Sequence, residues 1–182
     1  ANALNAFMAD YVERLREATA QWRIADNDLP TAAILIERLR ERGLTMATAE
    51  SCTGGNIAHE ITLIAGASDV MAGGIVAYSN SVKSGLLGVD PDLIAAFGAV
   101  SIPAAEAMAS GACLATGADI AIATSGIAGP GGGTPDKPVG TVCVAVASPS
   151  GLISTTLHLH GTRQRIIERA TSEALLMAIS AL

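Results

Sequence analysis

Apolar and polar positions alternate along the chain in two periods, one near that of a helix and one of two residues, and the two periods take turns over most of its length. Phe7, Tyr11, Leu15, Ala18 and Trp22 follow one another at steps of three and four, which predicts an amphipathic helix over 7–22. Its apolar face needs a cover, either the flank of the domain or a neighbouring subunit, and the polar linker "RIADNDLP" permits both. "TAAILIERLRERG" reads as a helix stopped by Gly43, and "LTMATAE" alternates as a strand. Helical spacing returns over 54–64, and "GGIVAYSN" (73–80) is a second strand. Helices are predicted over 90–97 and 103–116, the latter with Ser101 as N-cap and Pro103 in its first turn.

"ADIAIATSG" is a buried strand and "IAGPGGGTPDKPVG" a long glycine-proline loop. "TVCVAVASPSGLISTTLHLHG" is a hairpin turning at 149–151, and a last helix starts near Thr162. Helices interleaved with strands, then a late hairpin, predict a three-layer α/β/α domain with a mixed, mostly parallel sheet over 31–182. An N-terminal helical segment and linker over 1–30 precede it.

Composition narrows the function. The 182 residues carry a formal net charge of −6 and 3% aromatics, so the basic surface and stacking platforms of a nucleic-acid partner are not expected. No apolar run approaches the roughly 20 residues that span a bilayer, and the N-terminal stretch lacks a signal peptide's pattern. The expectation is a soluble, cytoplasmic protein with no membrane partner. Cys52, Cys113 and Cys143 are too widely spaced for a disulfide framework or zinc knuckle, and His59, His158 and His160 do not form a ligand pattern, so neither metal nor cofactor is expected.

In an open α/β sheet, ligands gather at the carboxyl ends of strands. Three polar segments leave such ends: "AESCTGG", "YSNSVKSG" and "TSGIAGPGGGTPDKPVG". They make Ser51, Asn80, Lys83, Ser125, Gly126 and Gly129 candidate site residues, although turns use the same residue types for local reasons. Serine attacks only when a base removes its proton, and no histidine is placed to do so. Lys83 follows a buried strand, and a lysine desolvated by an apolar wall can be neutral enough to act as base; an exposed lysine at a helix start is the plainer alternative. Cys52 is the rival nucleophile, but adjacent residues leaving a strand face opposite ways and a free cysteine usually packs. Thr53, Gly54 and Gly55 open a helix, so their unpaired N–H groups suit a phosphate or an oxyanion. Arg163 and Arg165, at the start of the last helix, are further phosphate candidates.

In order and spacing, "TAESCTGG", "GGIVAYSNSVKSGLLGV", "FGAVS", "TSGIAGPGGGTPDKPVGTV" and "HGTR" resemble the C-terminal domain of the competence-damage-inducible protein family, from about Thr31 onward. Stand-alone members of that family are nicotinamide-nucleotide amidases. The resemblance implies hydrolysis of the carboxamide of nicotinamide mononucleotide to nicotinate mononucleotide and ammonia, with Ser51 as nucleophile, Lys83 as base and Tyr78 as a third catalytic residue near that pair, a relay for the proton. It also implies α/β/α layers, no metal, a small nucleotide as substrate and homodimers or larger assemblies. A serine-lysine amidohydrolase for another carboxamide and a non-catalytic nucleotide-binding module are the alternatives.

Overall fold

The computed structural model describes residues 2–20, 24 and 28–182. Helix α1 spans Asn2–Thr19. It begins earlier than the periodicity suggests, and Trp22, the predicted end of its apolar face, lies outside the described residues. Leu4, Phe7, Tyr11 and Leu15 of α1 are exposed.

The domain proper runs α2 (Thr31–Arg42), β1 (Met46–Glu50), α3 (Asn56–Thr62), a 3-10 turn (Ala67–Asp69), β2 (Met71–Val76), α4 (Asn80–Leu87), α5 (Pro91–Phe97), α6 (Ile102–Thr116), β3 (Ile120–Gly126), β4 (Thr141–Ser148), β5 (Gly151–His158) and α7 (Arg163–Ser180). The strands form one sheet in the order β2-β1-β3-β4-β5. β1 pairs in parallel with β2 and β3, and β4 runs antiparallel to both β3 and β5, so only β4 points against the rest.

Period-two alternation gives the sheet two unlike faces. Met46, Ile120, Ile122, Val142, Val144 and Val146 point to one side, where they pack with α2, α3 and α7. Their neighbours Ala47, Ala49, Ala121, Ala123, Cys143, Ala145 and Ala147 point to the other, against α6 and α4. Small side chains on that face let helices come close. α6 uses Ala105, Ala109 and Ala112 there, and its Gly111 meets the backbone of α4: a Cβ at Gly111 would run into the Leu87 carbonyl oxygen. Local signals agree with the boundaries. Ser101 caps α6 by accepting the Ala104 N–H at 3.3 Å, and Gly43 ends α2 in the left-handed region at φ 64°.

The predicted second strand is shifted: β2 ends at Val76, and residues 80–87 become α4. Ser79 caps that helix, its Oγ accepting the Val82 N–H at 3.3 Å.

Because α4 is fixed by direct backbone contact with α6, Gly111→Ala is expected to destabilise the domain by about 1–3 kcal/mol, the usual cost of overpacking. Urea unfolding of the variant beside wild type measures this.

Candidate active site

The parity of β1 decides which way each residue of "AESCTGG" faces. Glu50 lies on the side of Met46, toward α3; Ser51 follows on the side of Ala49, toward α4. The Ser51 N–H continues the sheet ladder to the Thr124 carbonyl at 2.9 Å, so the residue stands at the rim of the central strands.

Lys83 approaches from α4. Its side chain is 2% exposed, and its Nζ donates to the Ala77 carbonyl at 2.8 Å and to Ser51 Oγ at 3.1 Å, with the Tyr78 carbonyl at 3.5 Å. No ion pair to Lys83 occurs among the described residues. Burial therefore opposes the ammonium form and lowers the lysine below its ordinary 10.5, while the nearby Cys52 works the other way without overcoming it. A neutral amine in hydrogen-bond contact with a serine hydroxyl is the arrangement that general-base activation needs.

Cys52 turns into the core with α2, α3 and α7 and is 7% exposed. Burial pushes its thiol up to about 12, with the Glu50 carboxylate adding to the rise. A thiol in that state is not a nucleophile at neutral pH.

The cleft beside Ser51, about 180 Å³, is lined by Ser51, Cys52, Tyr78, Gly126, Ala128 and Arg163. Arg163, at the first position of α7 after the Thr162 cap, reaches over it. One guanidinium nitrogen donates to the Gly129 carbonyl at 2.8 Å and the other to the Tyr78 hydroxyl at 3.0 Å. Arg163, Tyr78 and the glycine loop are thus joined across the mouth of the cleft. The Tyr78 hydroxyl pairs with Arg163 and makes no hydrogen bond to Ser51 or Lys83.

Three sequence expectations need correction. Thr53, Gly54 and Gly55 do not present a row of unpaired N–H groups: Gly54 donates to the Ser51 carbonyl at 3.2 Å, and Gly55 donates to Glu50 Oε2 at 3.0 Å. The Thr53 hydroxyl is buried against Thr124 Oγ1 at 2.7 Å. Ser125 turns away from the cleft, its hydroxyl donating to the Ala99 carbonyl at 2.6 Å. Asn80 borders a separate groove between α4 and α5. Gly126 lines the cleft and Gly129 contributes its carbonyl, as described.

Sequence reading missed Glu50, Thr124 and Lys137. Lys137 anchors the glycine loop by donating to the Phe97 carbonyl at 2.8 Å. A glutamate closing a strand just before a glycine-started helix was the available signal for Glu50; nothing in the sequence pairs Lys137 with Phe97. No three His, Cys, Asp or Glu side chains converge as a metal-holding group among the described residues.

The fold and this cleft define a class: an α/β/α domain with a serine at a strand-to-helix turn and a desolvated lysine against its hydroxyl. The chain belongs to the CinA C-terminal domain family, whose sequence profile matches residues 28–182. It is 58% identical over 134 residues to a CinA-like protein of Mycolicibacterium gilvum, covering 73% of this chain and 32% of that one. It is 44% identical over 169 residues to a CinA-like protein of Chlorobaculum tepidum, covering 90% of this chain and 40% of the relative. The chain thus spans well under half the length of these relatives. Among solved structures, the competence/damage-inducible protein CihA from Agrobacterium tumefaciens superposes with a TM-score of 0.81 at 41% identity, covering 82% of this chain and 92% of that one. A CinA superfamily protein from Escherichia coli superposes with a TM-score of 0.82 at 30% identity, covering 88% of this chain and 94% of that one.

Two measurements check the electrostatics. Folding disfavours the charged form of Lys83, so stability is expected to rise with pH between its lowered pKa and 10.5, where only the unfolded chain holds the extra proton. Lys83→Met should remove that rise in urea unfolding followed across pH. Native protein treated with iodoacetamide at mildly alkaline pH should keep Cys52 unmodified, and modification as fast as that of a free thiol would contradict its burial.

Proposed function

We propose that this domain is a serine amidase that hydrolyses the carboxamide of nicotinamide mononucleotide. The observation that carries the reading is the contact of buried Lys83 Nζ with Ser51 Oγ at 3.1 Å. Resemblance to the nicotinamide-nucleotide amidases of the family supports the choice of substrate.

Neutral Lys83 accepts the Ser51 proton as Oγ bonds to the amide carbon, and the carbonyl oxygen becomes an oxyanion. The amides of Ser51, Gly54 and Gly55 are already engaged, which leaves those of Cys52 and Thr53 as the turn's donors to that oxygen. Lys83 then returns the proton to the leaving nitrogen, the carbon-nitrogen bond breaks and ammonia departs. Water, deprotonated by the same amine, attacks the acyl-enzyme; nicotinate mononucleotide leaves and Ser51 regains its proton. Arg163 is the charged side chain at the cleft mouth and takes the substrate phosphate, exchanging its bond to Tyr78 for a charge-assisted one. Tyr78 borders the substrate from the mouth of the cleft.

Ammonia release measured on nicotinamide mononucleotide, nicotinamide, NAD and glutamine tests the substrate. Turnover of the mononucleotide well above the other three is expected; preference for another carboxamide would replace the substrate, and saturable nucleotide binding without ammonia would replace catalysis by binding. Ser51→Ala should lose more than about a thousandfold in kcat while keeping its circular dichroism spectrum. Turnover near that of wild type in this variant would remove Ser51 from the mechanism. Wild-type kcat/KM should rise with pH to a plateau, with its midpoint below 10.5, because the neutral amine is the active form.

A further inference from the structure

Glu50 is 1% exposed, and no ion pair to it occurs among the described residues. Its carboxylate is held by backbone alone. Oε2 accepts the N–H groups of Gly55 and Ile57 at 3.0 Å each, and Oε1 accepts that of Ala58 at 2.9 Å. These are the donors that the start of α3 leaves without carbonyl partners, where the helix dipole also favours negative charge. The side chain thus reaches from the last residue of β1 over the Ser51–Gly55 turn to the first turn of α3. At the strand end, the Ser51 N–H is fixed to the Thr124 carbonyl. Inside the turn, Gly54 donates to the Ser51 carbonyl and the Thr53 hydroxyl meets Thr124 Oγ1. The serine backbone is therefore held from both sides, and the face opposite Lys83 is closed by a carboxylate.

We propose that Glu50 is the positioning residue of the Ser51–Lys83 pair. It fixes the turn so that Ser51 Oγ stays within reach of Lys83 Nζ, and it fills the start of α3 so that no substrate anion docks there. The proposal rests on the reading of Ser51 as an activated nucleophile, though not on which amide is cleaved. Nucleophile displacements of about 1 Å cost roughly a hundredfold in rate, so a support of this kind acts on reactivity and leaves substrate affinity nearly unchanged.

The test is labelling of wild type, Glu50→Gln and Glu50→Asp with a fluorophosphonate, whose phosphorus is attacked by an activated serine with loss of fluoride. Both the rate constant and the fraction of protein labelled are read. Glutamine keeps the shape but turns one acceptor into an NH2 group facing an N–H donor. Aspartate keeps both oxygens but is one methylene short. In Glu50→Gln the rate constant should fall about a hundredfold with the labelled fraction unchanged, and in Glu50→Asp it should fall less. In the amidase assay kcat should drop in parallel while KM stays within about threefold.

A role in stability alone would lower the labelled fraction and leave the rate constant of the remainder at its wild-type value, and either that result or unchanged labelling overturns the proposal. Wild-type labelling without ammonia release from nicotinamide mononucleotide sinks the substrate reading and leaves this one standing. Absence of labelling at wild-type Ser51 overturns both. Where neither variant folds, amide hydrogen exchange of wild type decides: Gly55, Ile57 and Ala58 should exchange as slowly as the amides of β1, and exchange at open-turn rates refutes the role.

Discussion

The Lys83 amine is buried in a place that opposes its charge, with carbonyls and a serine hydroxyl around it and no ion pair to a carboxylate among the described residues. An acidic partner there would hold the lysine protonated and leave it useless as a base; open solvent would do the same. Much of the architecture serves to keep the amine dry and close to Ser51. Ser79 caps the start of α4, which sets the phase at which position 83 meets the sheet. Gly111 lets α6 hold α4 by backbone contact, and the alanines beneath bring that layer close.

The unlike faces of the sheet follow from the same need. Branched side chains on one side supply apolar burial with α2, α3 and α7, while alanines on the other permit the close helices, among them the one that carries Lys83. β1 crosses from one environment to the other in two consecutive residues. Glu50 belongs to the first, where helix-terminal amides hold it, and Ser51 to the second, where the lysine waits. A one-residue slip of β1 would exchange them, so strand register and chemistry are a single constraint here.

Layer order and most element positions were readable because the periodicities are clean and capping residues such as Ser101 and Gly43 mark the ends. Lys83 was readable as a candidate base for Ser51 because serine needs one and no histidine was placed to serve, but it was the family resemblance that paired the two. What escaped was local geometry. Nothing in residue types says that Glu50 has already claimed the Gly55 amide and the Ser51 carbonyl that of Gly54, or that Ser125 turns toward Ala99. The shift of β2 escaped for a similar reason: the apolar run continues past Val76, and only the Ser79 cap reveals the change of period. Lys137 and Phe97 lie forty residues apart, and their bond depends on how the glycine loop folds back.

The wall of the cleft on the sheet side consists of Gly126 and the strand-end turn around Ser51, with little side-chain surface to vary. Its adjustable surface is therefore confined to Tyr78, Ala128 and Arg163, which come from three separate segments. Divergence of ligand choice within this architecture would act through those positions, while Ser51 and Lys83 stay anchored in a buried part of the molecule with little room for a change of volume.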